Sequence, residues 1–226
     1  MTVQARLTDV RPELDPGPEP DVDPHVLLDY RADRSTAVRL VLGGGARLRS
    51  GTVLYAGTTI GGRFQTGHHV VVREECTIGD DVSIWSNSVI DYGCRIGDRV
   101  KIHTNCYVAQ YTEILDDAFL APGVTIANDL YPGQADSARL MSGPRIGAGA
   151  QIGVNVTLLP FVSIGDGCLV GSGSVVTRDL PDGTVAYGNP ARVRGLVADL
   201  TDIAERVVPD PGSSSPYRAR PRTSGP

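Results

Sequence analysis

Between Leu42 and Ile126 every sixth residue is aliphatic, with Thr66 as the one exception: Leu42, Leu48, Leu54 and Ile60, then Val72, Ile78, Ile84, Ile90, Ile96, Ile102, Val108, Ile114, Leu120 and Ile126. The beat resumes at Ile146 and runs through Ile152, Leu158, Ile164 and Val170 to Val176. Four residues after most beats sits a second, usually small side chain, such as Ala46, Thr52, Thr58, Cys76, Ser88, Cys94 and Ala118. A helix repeats every 3.6 residues and an amphipathic strand every 2, so neither produces a period of six. A solenoid does. Three hexapeptides close one coil of about 18 residues, each supplying a short strand to one of three flat faces with the beat residue pointing inward. The chain is therefore expected to be an all-β parallel helix of about seven coils.

The 20 residues from Ile126 to Ile146 are not a multiple of six, so a loop over 127–145 must leave the coil. Loops carried on a rigid scaffold are where binding concentrates. The array spans 41–192. Residues 1–40 read as an arm and a cap: Pro12, Pro16, Pro18, Pro20 and Pro24 stand in a stretch without periodicity, and 25–40 would cover the open end of the solenoid. Leu196, Val197, Leu200, Ile203, Ala204 and Val207 recur at helical spacing, which predicts a short C-terminal helix over 193–208. The tail over 209–226, rich in proline, serine and arginine, is expected to be disordered.

A net charge of −5 and an isoelectric point near 5.3 leave no basic field for nucleic acid or an anionic membrane. No apolar run is long enough to span a bilayer, and no charged-then-apolar signal opens the chain, so a cytoplasmic location is expected. All four cysteines occupy the small interior position of the repeat. Cys76 and Cys94 would stack on adjacent coils; free thiols are expected in a reducing compartment, with a cross-link between that pair as the alternative.

Five strings carry a resemblance: TGHHVVVRE (66–74), KIHTNCYVAQYTEI (101–114), FLAPGVTIANDLYPG (119–133), GAQIGVNVTLLPFVSIG (149–165) and VGSGSVVTRDLPDGTVAYGNPARV (170–193). With the hexapeptide beat, they make the chain similar to the left-handed β-helix acyltransferases, in particular those that acetylate the amino group of nucleotide-linked amino sugars. The resemblance implies a left-handed coil, a homotrimer with active sites in clefts between subunits, and acetyl-CoA laid along the solenoid as cosubstrate, with no metal. It also implies that the 127–145 loop reaches the sugar and that 190–192 belong to the CoA end of the site.

Counting by coils places His68, Trp85, His103 and Asn105 along one edge of the solenoid. Imidazole is neutral near physiological pH and can take a proton, so His103 is the candidate general base. His68, Trp85, Asn105 and Tyr131 are candidate contacts for the sugar. The alternatives are structural: His68 and His69 as turn residues, Asn87 and Asn105 as a stacked ladder of left-handed turns, and Trp85 as a packing or subunit contact. Asn128 and Asp129 open the loop; Asp129 would orient an ammonium and receive its proton, and Asn128 would hydrogen-bond the substrate or the thioester carbonyl. The alternative there is a plain Asn-Asp turn. Gly171 and Ser172 would let a ligand approach the backbone, and Arg178, Pro190 and Arg192 would sit near the CoA phosphates, for which arginine is suited.

An amine attacking a thioester needs positioning, a partner for the oxyanion and a destination for one proton. The expected activity is acetyl transfer to a sugar amine; O-acetylation of a sugar or small alcohol is the alternative, and it demands a stronger base. Two further readings carry less support. A γ-type carbonic anhydrase needs three histidines converging on zinc, whereas His25, His68, His69 and His103 lack a His-x4-His pair. A non-catalytic trimeric scaffold would have no need of the loop.

Overall fold

The computed structural model describes residues 18–33 and 39–200, together with the backbone of a two-residue antiparallel pair, Val208–Pro209 with Ala219–Arg220. The chain is an all-β parallel solenoid of about eight turns, one more than the beat predicts, and is consistent with a left-handed β-helix. Three stacked sheets form its faces. The first, of ten strands, contains Gln65–Thr66, Ser83–Ile84, Lys101–Ile102 and Phe119–Leu120; the second, of eight, contains Val71–Val72, Val89–Ile90, Tyr107–Val108 and Thr125–Ile126; the third, of seven, contains Thr77–Ile78, Arg95–Ile96 and Glu113–Ile114. Asp21–Val22 pairs with Arg47–Leu48, and Leu27–Tyr30 with Val53–Tyr55, so strands before Leu42 add a further rung to two faces.

Strands of two residues persist because every beat faces inward beside the same beat of the next coil, as Ile84 does beside Ile102 and Ile90 beside Val108. The core is this stack, and Leu48, Leu54, Ile60, Ile90, Ile102, Leu120, Ile146 and Leu158 are fully buried. Burying such a side chain contributes about 1.5–3 kcal/mol, which lets elements too short to survive alone hold together as an array. The exceptional beat, Thr66, is buried too; its hydroxyl bonds that of Thr52 at 2.9 Å and accepts the Arg49 amide. Phe64, at a position where the repeat carries a small residue, is fully buried two residues earlier and supplies the apolar volume that Thr66 lacks.

The small interior position also has a polar task. Thr58 Oγ1, Cys76 Sγ, Ser88 Oγ, Cys94 Sγ and Cys106 Sγ each donate to the backbone carbonyl 15 residues on, at the corner of the next coil. This satisfies buried carbonyls that no strand reaches. It also accounts for threonine, serine and cysteine alternating there, and all four cysteines are free.

Pairings across the second and third faces show what the loop does to the coil. The register offset is 18 residues from Ile96 to Ile114 but 32 from Ile114 to Ile146, so 14 extra residues are extruded without breaking any sheet. Beyond the last coil the expected helix over 193–208 is not formed where the chain is described. Ala191–Leu196 instead runs antiparallel to Thr184–Gly188, followed by a single 3-10 turn, Val197–Asp199; residues 201–207 lie outside the described residues. The reason is the reversal at 188–190: Gly188 adopts φ 108°, open to glycine, and 191–196 fold back onto an open sheet edge whose backbone groups need partners. The tail expected to be disordered, and the arm before residue 18, likewise fall outside the described residues apart from the short pair at 208–209 and 219–220.

Candidate active site

The three corners of the coil differ in chemistry. The edge between the first and second faces carries His68, His69, Trp85, Asn87, His103 and Asn105, and is called here the histidine edge. The edge between the second and third faces carries Arg73, Glu74, Asp91, Gln110 and the extruded loop, and is the loop edge. The remaining edge is a ladder of aspartates: Asp80, Asp98, Asp116, Asp166 and Asp182 each accept, through Oδ1, a backbone N–H from the preceding coil at 2.7–3.0 Å.

On the histidine edge the His103 ring lies between two others. It stacks on Trp85 at 4.5 Å and 11° and meets Phe119 at 4.9 Å and 52°. Its backbone carbonyl accepts Ser88 Oγ at 2.7 Å, and its N–H donates to the Leu120 carbonyl. The imidazole is thus held in place by stacking while remaining partly exposed, and Trp85 is 37% exposed beside it. Asn87 and Asn105 adopt φ 61° and 59°, the left-handed turn conformation that asparagine tolerates, and His69 sits in the same position of its coil with φ 56°. The His68 N–H donates to Ser86 Oγ at 3.0 Å. Gly171 and Ser172 lie farther along the same edge; Tyr187 Cβ would stand 2.8 Å from a Cβ at Gly171, so the absent side chain there makes room for Tyr187.

The loop edge is a buried polar network. The Asp91 carboxylate, on a residue 7% exposed, receives the Tyr107 hydroxyl at 2.9 Å, Gln110 Nε2 at 2.6 Å and the Tyr92 N–H at 2.8 Å, with Arg73 Nη1 at 3.4 Å. Arg73 also makes a paired contact with the fully buried Glu74 at 2.9 and 3.0 Å, and its guanidinium lies 5.5 Å from the centroids of both Tyr55 and Tyr92. The hydrogen bonds to Glu74 hold Arg73 above its ordinary pKa. Burial, then the bond to Asp91, pushes the Tyr107 phenol up to about 12, so it stays a donor. Asn128 Nδ2 donates to Gln110 Oε1 at 2.6 Å, tying the root of the loop to this network. The Asn128 carbonyl accepts the Ser142 N–H at 2.9 Å and closes the neck of the loop. Asp129 Oδ1 accepts the Tyr131 N–H at 2.8 Å, and Tyr131 stands 61% exposed.

Within one chain the sequence-predicted residues fall into separate groups. His68, Trp85, His103, Asn105, Gly171 and Ser172 share the histidine edge, while Asn128, Asp129, Tyr131 and Arg178 are on the loop edge across the second face. Pro190 and Arg192 are in the terminal hairpin, where Arg192 is paired with Tyr187 in register. Arg178 is exposed and has no ion-pair partner among the described residues, and Arg192 donates to the Ala191 carbonyl. Asp91, Gln110, Tyr107, Arg73 and Glu74 are absent from the sequence-based set. Their signal is periodic: Arg73 and Asp91 are 18 residues apart, as are Glu74, Tyr92, Gln110 and Asn128 in turn, so charge and amides stack where corners elsewhere carry glycine or alanine. Among the described residues no group of three histidine, cysteine or acidic side chains is placed to hold a metal ion, and no helix is long and apolar enough to cross a membrane.

The hexapeptide repeat that builds this three-faced solenoid matches family models of bacterial transferases over part of the chain. The family described as bacterial transferase hexapeptide (six repeats) matches residues 57–91 and 143–178, and the hexapeptide repeat of succinyl-transferase matches 75–110. Among curated relatives, the chain is 53% identical over 53 residues to the dTDP-3-amino-3,6-dideoxy-alpha-D-galactopyranose 3-N-acetyltransferase of Aneurinibacillus thermoaerophilus, covering 24% of this chain and 28% of that one. It is 37% identical over 91 residues to the galactoside O-acetyltransferase of Escherichia coli, covering 38% and 45%. The matched stretch thus spans less than half the length of either relative. Among solved structures, a UDP-N-acetylglucosamine acyltransferase from Campylobacter jejuni aligns with a TM-score of 0.47 and 19% identity over 80% of this chain and 74% of that one. The family matches and the acetyltransferase relatives bear out the resemblance to hexapeptide-repeat acyltransferases.

Proposed function

We propose that the protein is a CoA-dependent N-acetyltransferase whose acceptor is the amino group of a nucleotide-linked sugar, and that it works in the cytoplasm as a homotrimer. The observation that carries this reading is the loop: 14 residues leave an otherwise unbroken hexapeptide solenoid at one edge, and at their root Asn128 is bonded into a buried carboxylate network, with Asp129 next in the chain. The local identity to a dTDP-amino-sugar N-acetyltransferase supports an amine as the nucleophile. The geometry of the edges supports the trimer. The second face separates His103 from Asn128 and Asp129 in one chain, and its outward residues Leu27, Val53, Val71 and Val89 form an apolar row suited to burial against a neighbour. Packing of that kind brings one subunit's histidine edge against the loop edge of the next.

In this reading Asp129 orients the acceptor as an ammonium, and His103 or Asp129 takes the proton that must leave before the amine attacks. The new C–N bond forms as the C–S bond of the thioester breaks, and the sulfur leaves as the CoA thiol, taking the second proton that the nitrogen sheds on becoming an amide. Arg178 and Arg192 are both exposed, and a guanidinium so placed can donate to phosphate oxygens, which fits them to the CoA head group. The test is thiol release from acetyl-CoA across dTDP- and UDP-linked 3-amino and 4-amino sugars, with the corresponding hydroxyl sugars as controls. Turnover confined to the amino sugars is the expected result. Turnover of hydroxyl sugars alone would replace this reading with O-acetylation, and no thiol release with any acceptor would remove it.

A further inference from the structure

The bonds at the loop edge have a direction. Both oxygens of Asp91 are met by donors: Oδ1 by the Tyr92 N–H and Arg73, Oδ2 by the Tyr107 hydroxyl and Gln110 Nε2. A carboxylate only accepts, so the Gln110 amide cannot turn round without setting its own oxygen against Asp91. Gln110 Oε1 therefore faces away, toward the loop, and what meets it must be a donor: Asn128 Nδ2, at 2.6 Å. The same constraint passes one residue further. With its NH2 engaged, Asn128 is left with Oδ1 unused among the described residues, and since no buried side-chain oxygen or nitrogen there lacks a partner, that oxygen reaches solvent although the residue is only 9% exposed.

We propose that Asp91 and Gln110 are positioning residues that fix the polarity of Asn128, so that it presents a carbonyl oxygen to the acyl acceptor and bonds the N–H of an amine or ammonium. This rests on the N-acetyltransferase reading and narrows it. Asn128 is assigned to the nucleophile and not to the thioester oxyanion, which needs donors. The role of Asp91 is exerted through two amides; it need not touch substrate.

The test is a double-mutant cycle with two readouts. In Asp91→Asn, the Tyr92 N–H and Arg73 keep the new amide's oxygen in place, so its NH2 points at Gln110. The relay then reverses and Asn128 presents NH2. In Asn128→Asp, a carboxylate faces the Gln110 oxygen, acceptor against acceptor. Each single variant should lower the melting temperature by several degrees and raise the acceptor KM by about tenfold or more, a figure that corresponds to the loss of one hydrogen bond. Neither should alter the affinity for CoA. The double variant restores a consistent relay with an oxygen outward, so KM should return toward that of the parent protein, and the melting temperature should fall no further than in Asp91→Asn alone, because the acceptor-against-acceptor clash of Asn128→Asp is relieved. In a Gln110→Met background the coupling between positions 91 and 128 should vanish.

Additive losses in the double variant would overturn the relay. Coupled melting temperatures with an unchanged acceptor KM in both single variants would overturn the role assigned to the Asn128 oxygen. If the parent protein transfers acetyl to no amine, the N-acetyltransferase reading fails, and the melting-temperature cycle still decides whether the relay exists.

Discussion

The histidine edge and the loop edge are made from the same repeat positions, yet one is assembled from rings and the other from charges. At the position following the beat, the histidine edge has Trp85 and His103 stacked at 4.5 Å, whereas the loop edge has Arg73 and Asp91 joined at 3.4 Å. Stacked rings tolerate water on one side and keep a side chain oriented while it remains accessible, which suits a group that exchanges protons. A carboxylate on a residue 7% exposed is tolerable only when fully bonded, and once bonded it fixes the orientation of everything attached to it. The difference teaches a division of labour: the histidine edge offers accessible side chains oriented by ring stacking, and the loop edge offers rigid polarity at the root of a loop.

The largest effect that would break this comparison is expected from Arg73. Replacing it by methionine keeps the length of the side chain but leaves Glu74 and Asp91 without their shared cation, and removing one partner from a buried charge cluster costs about 3 kcal/mol or more. Chemical denaturation should register that loss, and the Asn128 relay should weaken with it. Stability within about 0.5 kcal/mol of the parent would show that the loop edge is a solvated surface after all. Next comes His103. His103→Ala should lower turnover by about 10²-fold if the imidazole takes the proton, with the oligomer intact by light scattering at three times the chain mass. A loss recovered at higher pH would reduce His103 to a positioning role, and a fully active monomer would end the idea that the two edges meet between subunits.

Much of this was legible in the sequence because a solenoid maps number onto space. Ile84 and Ile102 are 18 residues apart and pair in register, so the inward beat residues are predictable, as are the loop and the grouping of His68, Trp85, His103 and Asn105 on one edge. The remainder depended on what periodicity does not encode. The helical spacing of Leu196, Val197 and Leu200 gave no sign of the chain reversal at 188–190, and an open sheet edge claimed 191–196 as strand instead. The buried network escaped because its members are ordinary polar residues one by one; only the coil stacks Arg73 on Asp91 and Gln110 on Asn128. The direction of those hydrogen bonds is a property of atoms, and no spacing rule reaches it.

Cofactor recognition is the third expected effect. If Arg178 and Arg192 each make a charge-assisted phosphate contact, replacement by alanine should weaken CoA binding by about 1.5–3 kcal/mol, read by titration calorimetry. The two lie on different elements at the C-terminal end of the solenoid, one at the loop edge and one in the terminal hairpin, so a loss at only one of them would identify which of these holds the head group. Unchanged affinity in both would place CoA elsewhere.

The smallest effect comes from the aspartate edge, which sharpens the comparison by serving as its control. Arg63 meets Asp81 with two contacts of 2.7 Å, but both side chains are about half exposed, 53% and 45%, so solvent screening limits the pair to under about 1 kcal/mol. The hydrogen bonds from Arg63 hold the Asp81 carboxyl below the usual carboxylate range. A depressed pKa in the folded state stabilises above the unfolded value, near 3.9, and that contribution is lost as pH falls through the folded value. Thermal denaturation of Arg63→Met should therefore match the parent protein's acid limb more closely at low pH than at neutrality, with a gap at neutral pH of only a degree or two by the same estimate. A gap comparable to that of Arg73→Met would mean that exposed and buried pairs contribute alike in this solenoid, and the contrast drawn between its edges would lose its physical basis.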